Sequence, residues 1–209
     1  MIEQLILVRH GETEHNVAGI AQGWNDSALS ERGTQQVRAL AERIASMRPT
    51  SIFSSPLQRA LTTATTIGDA CGLEVQTLDD LREMNYGAWE NRNFLEAREE
   101  YAAEYERWFS DPDAPCPDGE SHNDVLRRMQ RAVRTIEASA NGAPSRVVVV
   151  THGTAIRVGA TIFLSAPVMS SRHLAQDNAA MNLFVRRADR WVLKLWNDTT
   201  HCHDPRTNQ

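Results

Sequence analysis

Apolar and polar positions along the chain fall into two kinds of pattern. Two short runs, Leu5-Ile6-Leu7-Val8 and Val147-Val148-Val149-Val150, are apolar without interruption. Runs of this length and continuity predict strands buried on both faces, as in a parallel sheet covered by helices. A shorter run, Ser51-Ile52-Phe53-Ser54, ends in Ser55-Pro56 and predicts a third strand. Between these runs the apolar positions recur at helical spacing. Val37, Leu40, Ala41 and Ile44 share one face of a helix over Gln35 to Met47, with Ser30 as a cap and Gly33 blurring the first turn. Leu61, Ala64 and Ile67 share a face of a helix over Leu57 to Ala70, and Pro56 suits its start. Helices with charged outer faces are predicted over Phe94 to Phe109 and over Ser121 to Ser139. Tyr101, Tyr105 and Trp108 lie at helical spacing on the first of these and read as packing residues.

The Pro/Asp stretch from Ser110 to Gly119 separates two helices of similar composition, so it reads as an internal loop rather than a linker. Near the end, Ala180 to Arg186 and Arg190 to Trp196 flank Arg187-Ala188-Asp189 and predict a hairpin. Strands alternating with helices, followed by a late hairpin, give the expected fold class: α/β, a three-layer sandwich. Its central sheet is mostly parallel with an antiparallel edge strand, and helices cover both faces. One domain over residues 1–209 is expected, with about 204–209 as tail. The late edge strand could pair with a second copy, so a homodimer is the expected form of any self-association.

Charge and composition narrow the function classes. The 209-residue chain carries a net charge of -5, which leaves no electrostatic footprint for nucleic acid or an anionic membrane. Lys194 is the one lysine, so almost any cationic group that meets a substrate is a guanidinium, suited to forked recognition of phosphate or carboxylate. Cys71, Cys116 and Cys202 are odd in number and scattered, which argues for a reducing compartment. With no charged leader ahead of a long apolar stretch and no run of membrane length, a cytoplasmic enzyme is expected. His201-Cys202-His203 has poor geometry for one tetrahedral ion and no partner cluster, so no metal or cofactor is expected.

In open α/β sheets, ligands bind outside the carboxyl ends of the strands. Both uninterrupted apolar runs deliver a His-Gly pair to that end, as Arg9-His10-Gly11-Glu12 and Thr151-His152-Gly153-Thr154. The glycine lets backbone approach a ligand closely, and the buried strand holds the histidine in a fixed orientation.

Those residues carry a family resemblance. Leu7-Val8-Arg9-His10-Gly11-Glu12-Thr13, with Asn16 following, resembles the signature of the histidine phosphatase superfamily, the phosphoglycerate mutase-like proteins. Leu29 to Gly33, Ser54 to Ala60 with Thr63-Ala64, Leu81 to Glu90, Gly119-Glu120-Ser121 and Val150 to Gly153 resemble its further blocks, in the expected order. The resemblance extends from about Leu5 to His201. It implies that His10 attacks phosphorus and carries the phosphoryl group, while Arg9, Arg59 and His152 bind the phosphate oxygens. Glu83 is implied as the acid for the leaving oxygen and the base for the attacking water, with Glu90 in the same loop as its rival. Two guanidinium forks and an imidazolium would hold the dianion through an in-line displacement without a metal ion.

Asn16 and Thr13 are candidates to touch the phosphate, or to fix the loop and cap a short helix. Gly23, in the loop Gly23-Trp24-Asn25, is a candidate substrate-binding position. Asn91, after Trp89-Glu90, departs from the glycine usual there and puts the local turn in question. Asn197 to His201 resembles a terminal block of the family, at the pocket mouth and without chemistry of its own. The Asn91 to Asp118 interval is short and acidic, a poor clamp for a bisphosphate. Hydrolysis of a small-molecule phosphate ester is therefore expected ahead of cofactor-dependent phosphoglycerate mutation, and a non-catalytic phospho-ligand binder stands last because the full catalytic set is retained.

Overall fold

The computed structural model describes residues 1–139 and 145–202, so the expected tail lies outside the described residues. The strands are β1 (Ile2–Arg9), β2 (Ser51–Ser54), β3 (Val75–Thr77), β4 (Ser145–Thr151), β5 (Met181–Arg187) and β6 (Arg190–Asp198). The helices are α1 (Glu14–Ala18), α2 (Glu31–Ser46), α3 (Gln58–Cys71), α4 (Phe94–Glu100), α5 (Ala102–Ser110), α6 (His122–Ser139) and α7 (Gly153–Leu164).

The apolar runs are continuous because successive side chains enter two different cores. Ile6, Val8, Ile52, Val148 and Val150 pack with Leu40, Ala41 and Ile44 of α2 and with Ala60, Ala64 and Ile67 of α3. Leu5, Leu7, Phe53, Val147 and Val149 point the other way, against Val125, Met129 and Ile136 of α6 and Ile156 and Phe163 of α7. This makes three layers. The six strands run in the order β3-β2-β4-β1-β5-β6; β1 to β4 are mutually parallel, while β5 is antiparallel to both β1 and β6. The expected α/β sandwich is the one observed. No helix among the described residues is long and apolar enough to cross a membrane.

Several boundaries differ from the sequence reading, each for a physical reason. Helix α2 starts at Glu31, four residues earlier than expected, with Gly33 inside its first turn. The Gly33 N–H donates to Ser30 Oγ at 2.9 Å. A Cβ on Gly33 would lie 1.9 Å from the carbonyl oxygen of Glu12, so the bare backbone lets the loop after β1 cross the helix start. The predicted Phe94–Phe109 helix is broken at Tyr101 (φ -112°, ψ 42°) into α4 and α5. Their aromatic residues do pack as expected: Trp108 meets Trp89 edge-on with ring centroids 5.5 Å apart. Strand β3 and helix α7 were not foreseen. β3 is only three residues long, and α7 follows directly on the second His-Gly with little polar punctuation. Asn91 takes φ 61°, a left-handed conformation asparagine tolerates, so the turn that usually has glycine survives.

Gly33→Ala should lower stability by about 1–3 kcal/mol, because the added methyl meets main chain that cannot swing away. A urea midpoint equal to that of the wild type would show that the α2 start can move aside.

Candidate active site

The site begins with the register of β1 and β4. Arg9 pairs with Thr151 at the carboxyl ends of the two strands, and the ladder continues as His10 N–H donates to the Thr151 carbonyl at 3.1 Å. His10 and His152, one residue beyond each strand, are thereby neighbours, with ring centroids 5.2 Å apart. Ser55, beyond β2, extends the same edge: its N–H donates to the Val150 carbonyl at 3.0 Å. All three residues are buried.

The His10 ring is fixed by its own loop. Its Nδ1 lies 2.8 Å from the carbonyl oxygen of Gly11, and a carbonyl can only accept, so Nδ1 carries the proton and Nε2 keeps its lone pair. Burial, then the charges of Arg59 and Arg9, hold its pKa well below the ordinary 6.5. The ring is therefore neutral at pH 7. His152 Nε2 lies 2.8 Å from Ser55 Oγ, which itself accepts from the Leu57 N–H. The Ser55 proton is then free for Nε2, which leaves the proton of His152 on Nδ1. Burial, then Arg59 and His10, hold the His152 pKa well below the ordinary 6.5, so the ring is a neutral N–H donor rather than the imidazolium expected from sequence.

Two arginines complete a cradle. Arg59, at the start of α3, spends both Nη1 protons on the Asn25 carbonyl (2.8 Å) and Asp26 Oδ1 (2.9 Å), and one Nη2 proton on the Gly23 carbonyl (2.6 Å). Its Nε–H and one Nη2–H remain as the fork, so only one edge of the guanidinium is available rather than the whole group. Arg9 Nη1 donates to the Gln176 carbonyl. The Nε atoms of Arg9 and Arg59 and Nδ1 of His152 are buried without hydrogen-bond partners. Buried donors are seldom left unpaired, and three at one point describe a binding site for an acceptor-rich anion. Gly153 is part of this geometry: a Cβ there would sit 3.6 Å from Arg9 Nε and 3.8 Å from Glu83 Oε2.

Glu83 reaches the same point from the loop after β3. Its Oε2 accepts from Thr154 N–H at 3.1 Å, and its Oε1 from Ala155 N–H at 3.1 Å and Met84 N–H at 2.8 Å. The carboxylate thus sits at the N-terminus of α7, where free amides and the helix dipole favour it. Glu90 is placed differently. Its oxygens accept from Trp24 N–H (2.9 Å), Tyr86 N–H (3.0 Å) and Asn25 N–H (3.3 Å), so it ties two loops together. That separates it from its rival Glu83. Gly23 serves this tie with φ 53° and no room for a Cβ, which would fall 1.9 Å from Glu90 Oε1.

Thr13 and Asn16 form a capping box at α1. Thr13 is fully buried, with its hydroxyl 3.0 Å from Asn16 Oδ1, and Asn178 Nδ2 donates to the same oxygen at 3.0 Å. The Thr13 hydroxyl is thus committed to fixing the loop. Sequence reading missed the supports around these residues. Asp26 caps α3 through the Gln58 N–H (2.8 Å) while pairing with Arg59. Arg128 grips Glu120 with two nitrogens (2.9 and 3.0 Å) and donates to the Asp80 and Arg82 carbonyls, steadying the strap that carries Glu83. The segment 176–180 holds Arg9 and His10 through backbone, Ala179 N–H donating to the His10 carbonyl at 2.9 Å. Asn197 and His201 prop that segment through Asp177 and the Ala179 carbonyl, so the terminal block is a buttress. His203 lies outside the described residues. Backbone carbonyls leave no mark in sequence, but the Gly119-Glu120 block was a usable signal for the Arg128 clamp.

Residues 5–199 match the family model of the histidine phosphatase superfamily (branch 1). The chain is 35% identical over 204 residues to the metal-independent phosphoserine phosphatase of Arabidopsis thaliana, covering 96% of this chain and 83% of that one. It is 32% identical over 211 residues to the probable phosphoglycerate mutase GpmB of Erwinia tasmaniensis, covering 96% and 95%. Its fold matches the mycobacterial glucosyl-3-phosphoglycerate phosphatase solved with VO3, with a TM-score of 0.85 and 32% identity over 93% of this chain and 99% of that one. The chain belongs to the histidine phosphatase superfamily.

His10, His152 and His122 all have pKa values lowered by burial first and by nearby arginine charge, His122 to about 4. A histidine with a lowered folded pKa binds fewer protons folded than unfolded, so its contribution to stability is intact above the unfolded pKa near 6.5. That contribution is lost as pH falls from there toward the folded value, at about 1.4 kcal/mol per pH unit for each ring. Urea midpoints should fall steeply between pH 6.5 and 4.5, and a flat profile there would contradict the neutral rings.

Proposed function

We propose that this chain is a metal-independent phosphatase that hydrolyses a small phosphate monoester through a phosphohistidine on His10 Nε2. The observation that carries the reading is the His10 ring itself, neutral and with Nδ1 locked on the Gly11 carbonyl. A neutral imidazole is a competent nucleophile, and a covalent intermediate divides one hard displacement into two easier ones. The unpartnered donors of Arg9, Arg59 and His152 support a cradle for the non-bridging oxygens. Preorganised donors of this kind are worth most where water is excluded and charge accumulates in the transition state.

Glu83 takes up a proton as the dianionic ester binds beside it. In the first step the Nε2 lone pair forms a P–N bond while the ester P–O bond breaks, and the leaving oxygen takes that proton from Glu83. In the second, water attacks phosphorus, the P–N bond breaks, and Glu83 receives the proton of the water. Net products are the alcohol and inorganic phosphate, and His10 Nε2 regains its lone pair. The acidic, short Asn91 to Asp118 interval supports hydrolysis over mutation, because a mutase must hold a second anionic group close while the substrate reorients.

His10→Ala is expected to abolish turnover, and a residual rate above a few per cent would exclude the covalent route. Glu83→Gln should slow alkyl esters by roughly 10²–10⁴-fold but p-nitrophenyl phosphate far less, since p-nitrophenolate leaves unaided. Equal slowing would remove Glu83 from the role of acid. Phosphate release from a panel of small esters should persist in EDTA. Isomerisation of 3-phosphoglycerate that depends on added 2,3-bisphosphoglycerate would assign the protein to the mutases instead.

A further inference from the structure

The peptide that locks the His10 ring is itself held from behind. Gly11, just beyond β1, rests on the start of α2, and three residues on one face of that helix are shaped to the loop. Gly33 carries no side chain where the Glu12 carbonyl crosses. Val37 packs so close that a Cβ on Gly11 would fall 2.6 Å from its Cγ2, and 2.8 Å from the Gly33 carbonyl oxygen. Between them, buried Gln36 accepts the Glu12 N–H on Oε1 at 3.0 Å. An N–H can only donate, so the amide atom facing it is the oxygen.

The peptide joining Gly11 to Glu12 thus makes a hydrogen bond on each side. Its N–H gives to Gln36, and its carbonyl accepts the His10 Nδ1 proton at 2.8 Å. In a trans peptide these two groups point in opposite directions, so the bond to Gln36 turns the carbonyl toward the ring. It also polarises the peptide. An amide whose N–H is taken by an acceptor has a more negative carbonyl oxygen, which draws harder on the Nδ1 proton and leaves more electron density on Nε2. Asn178 Nδ2 approaches the same carbonyl only at 3.4 Å, a weaker contact. The preceding peptide is pinned as well: Gly11 N–H donates to Thr63 Oγ1 at 3.2 Å, and the Thr63 proton is spent on the Arg59 carbonyl at 2.8 Å.

We propose that Gln36 is a positioning residue for His10: acting through the Gly11–Glu12 peptide, it keeps the ring proton on Nδ1 and raises the reactivity of Nε2. A peptide backed by a side-chain amide does for this imidazole what a carboxylate does in a Ser-His-Asp triad. The role rests on the reading of His10 as the nucleophile of a phosphatase. Glu12 is anchored independently by Ser30, whose N–H donates to its carbonyl at 2.9 Å and whose Oγ donates to its Oε1 at 2.8 Å. Loss of the Gln36 acceptor alone therefore leaves the loop in place and frees only the peptide plane.

The test compares Gln36→Leu, which fills the space without an acceptor, with Gln36→Glu, which keeps one. The His10 tautomer is read by nitrogen NMR of protein carrying isotope-labelled histidine, with His10→Ala identifying its signals. First-turnover release of p-nitrophenolate from p-nitrophenyl phosphate reads attack by Nε2 without help from an acid. In the wild type the proton should sit on Nδ1. Gln36→Leu should populate the Nε2-protonated tautomer and slow the first turnover about tenfold, while affinity for inorganic phosphate, measured by calorimetry, changes by less than about twofold. Gln36→Glu should restore both tautomer and rate. A wild-type ring protonated on Nε2 overturns the proposal without any variant. So does a folded Gln36→Leu protein that keeps the wild-type tautomer or turns over at the wild-type rate, or a Gln36→Glu protein as impaired as Gln36→Leu. A tautomer shift in Gln36→Leu beside a wild type that releases no p-nitrophenolate would sink the phosphatase reading and leave the positioning role standing.

Discussion

The pairing of β1 with β4, in the register that sets Arg9 opposite Thr151, is the constraint on which the site depends, because it fixes two histidines one step beyond the sheet. A slip of one residue would turn Arg9 and His10 to opposite faces and empty both cores of their alternating apolar sets. The register is secured on each side. Ile6 and Val8 lock into the core of α2 and α3, and Leu5 and Leu7 into that of α6 and α7. Precision at the histidines is therefore a by-product of the packing that makes the sheet stable.

Around that edge the protein concentrates positive charge where water is scarce. Arg9 and Arg59 are held against Glu83 and Asp26, whose charges raise the arginine pKa values that burial lowers. The histidines give way by staying neutral, which leaves the Nε2 lone pair of His10 in place. What remains unbalanced is a set of buried N–H donors without partners, which suits an acceptor-rich anion. Elsewhere on the two guanidiniums, Arg59 donates to the Gly23 and Asn25 carbonyls and to Asp26, and Arg9 donates to the Gln176 carbonyl.

Supports for this cluster come from parts of the chain distant in sequence. Arg128 on α6 holds the Asp80 and Arg82 carbonyls, and with them the loop that presents Glu83. Arg43 on α2 reaches Asp198 and Thr200, tying to α2 the terminal block that props the segment contacting His10. Glu90 joins the Glu83 loop to the loop that anchors Arg59. Each support is a charged side chain hydrogen-bonded to remote loops, Arg43 through side chains, Glu90 mainly through backbone N–H groups and Arg128 through both.

Much of this was legible in the chain itself. Short continuous apolar runs between helix-spaced segments read as strands covered on both faces, so the α/β class and the positions of β1 and β4, with the shorter β2 run, were legible in the chain. The two His-Gly pairs stood out because each closes a buried strand, whereas Arg59 and Glu83 were picked out only by the resemblance of their blocks to those of the family. Short β3 carries too few residues for a pattern, and the break at Tyr101 leaves helical spacing intact on both sides. Gly33 looked like a flaw in a helix because only the crossing Glu12 backbone explains it. Sequence determined which residues could do phosphate chemistry and which strands would deliver them, since both depend on local residue identity. Only the tertiary structure decided the tautomer of His10, the single free edge of Arg59 and the separation of Glu83 from Glu90. Each of these is set by carbonyls, amides and charges brought together from remote positions, and such contacts leave no local signature to read.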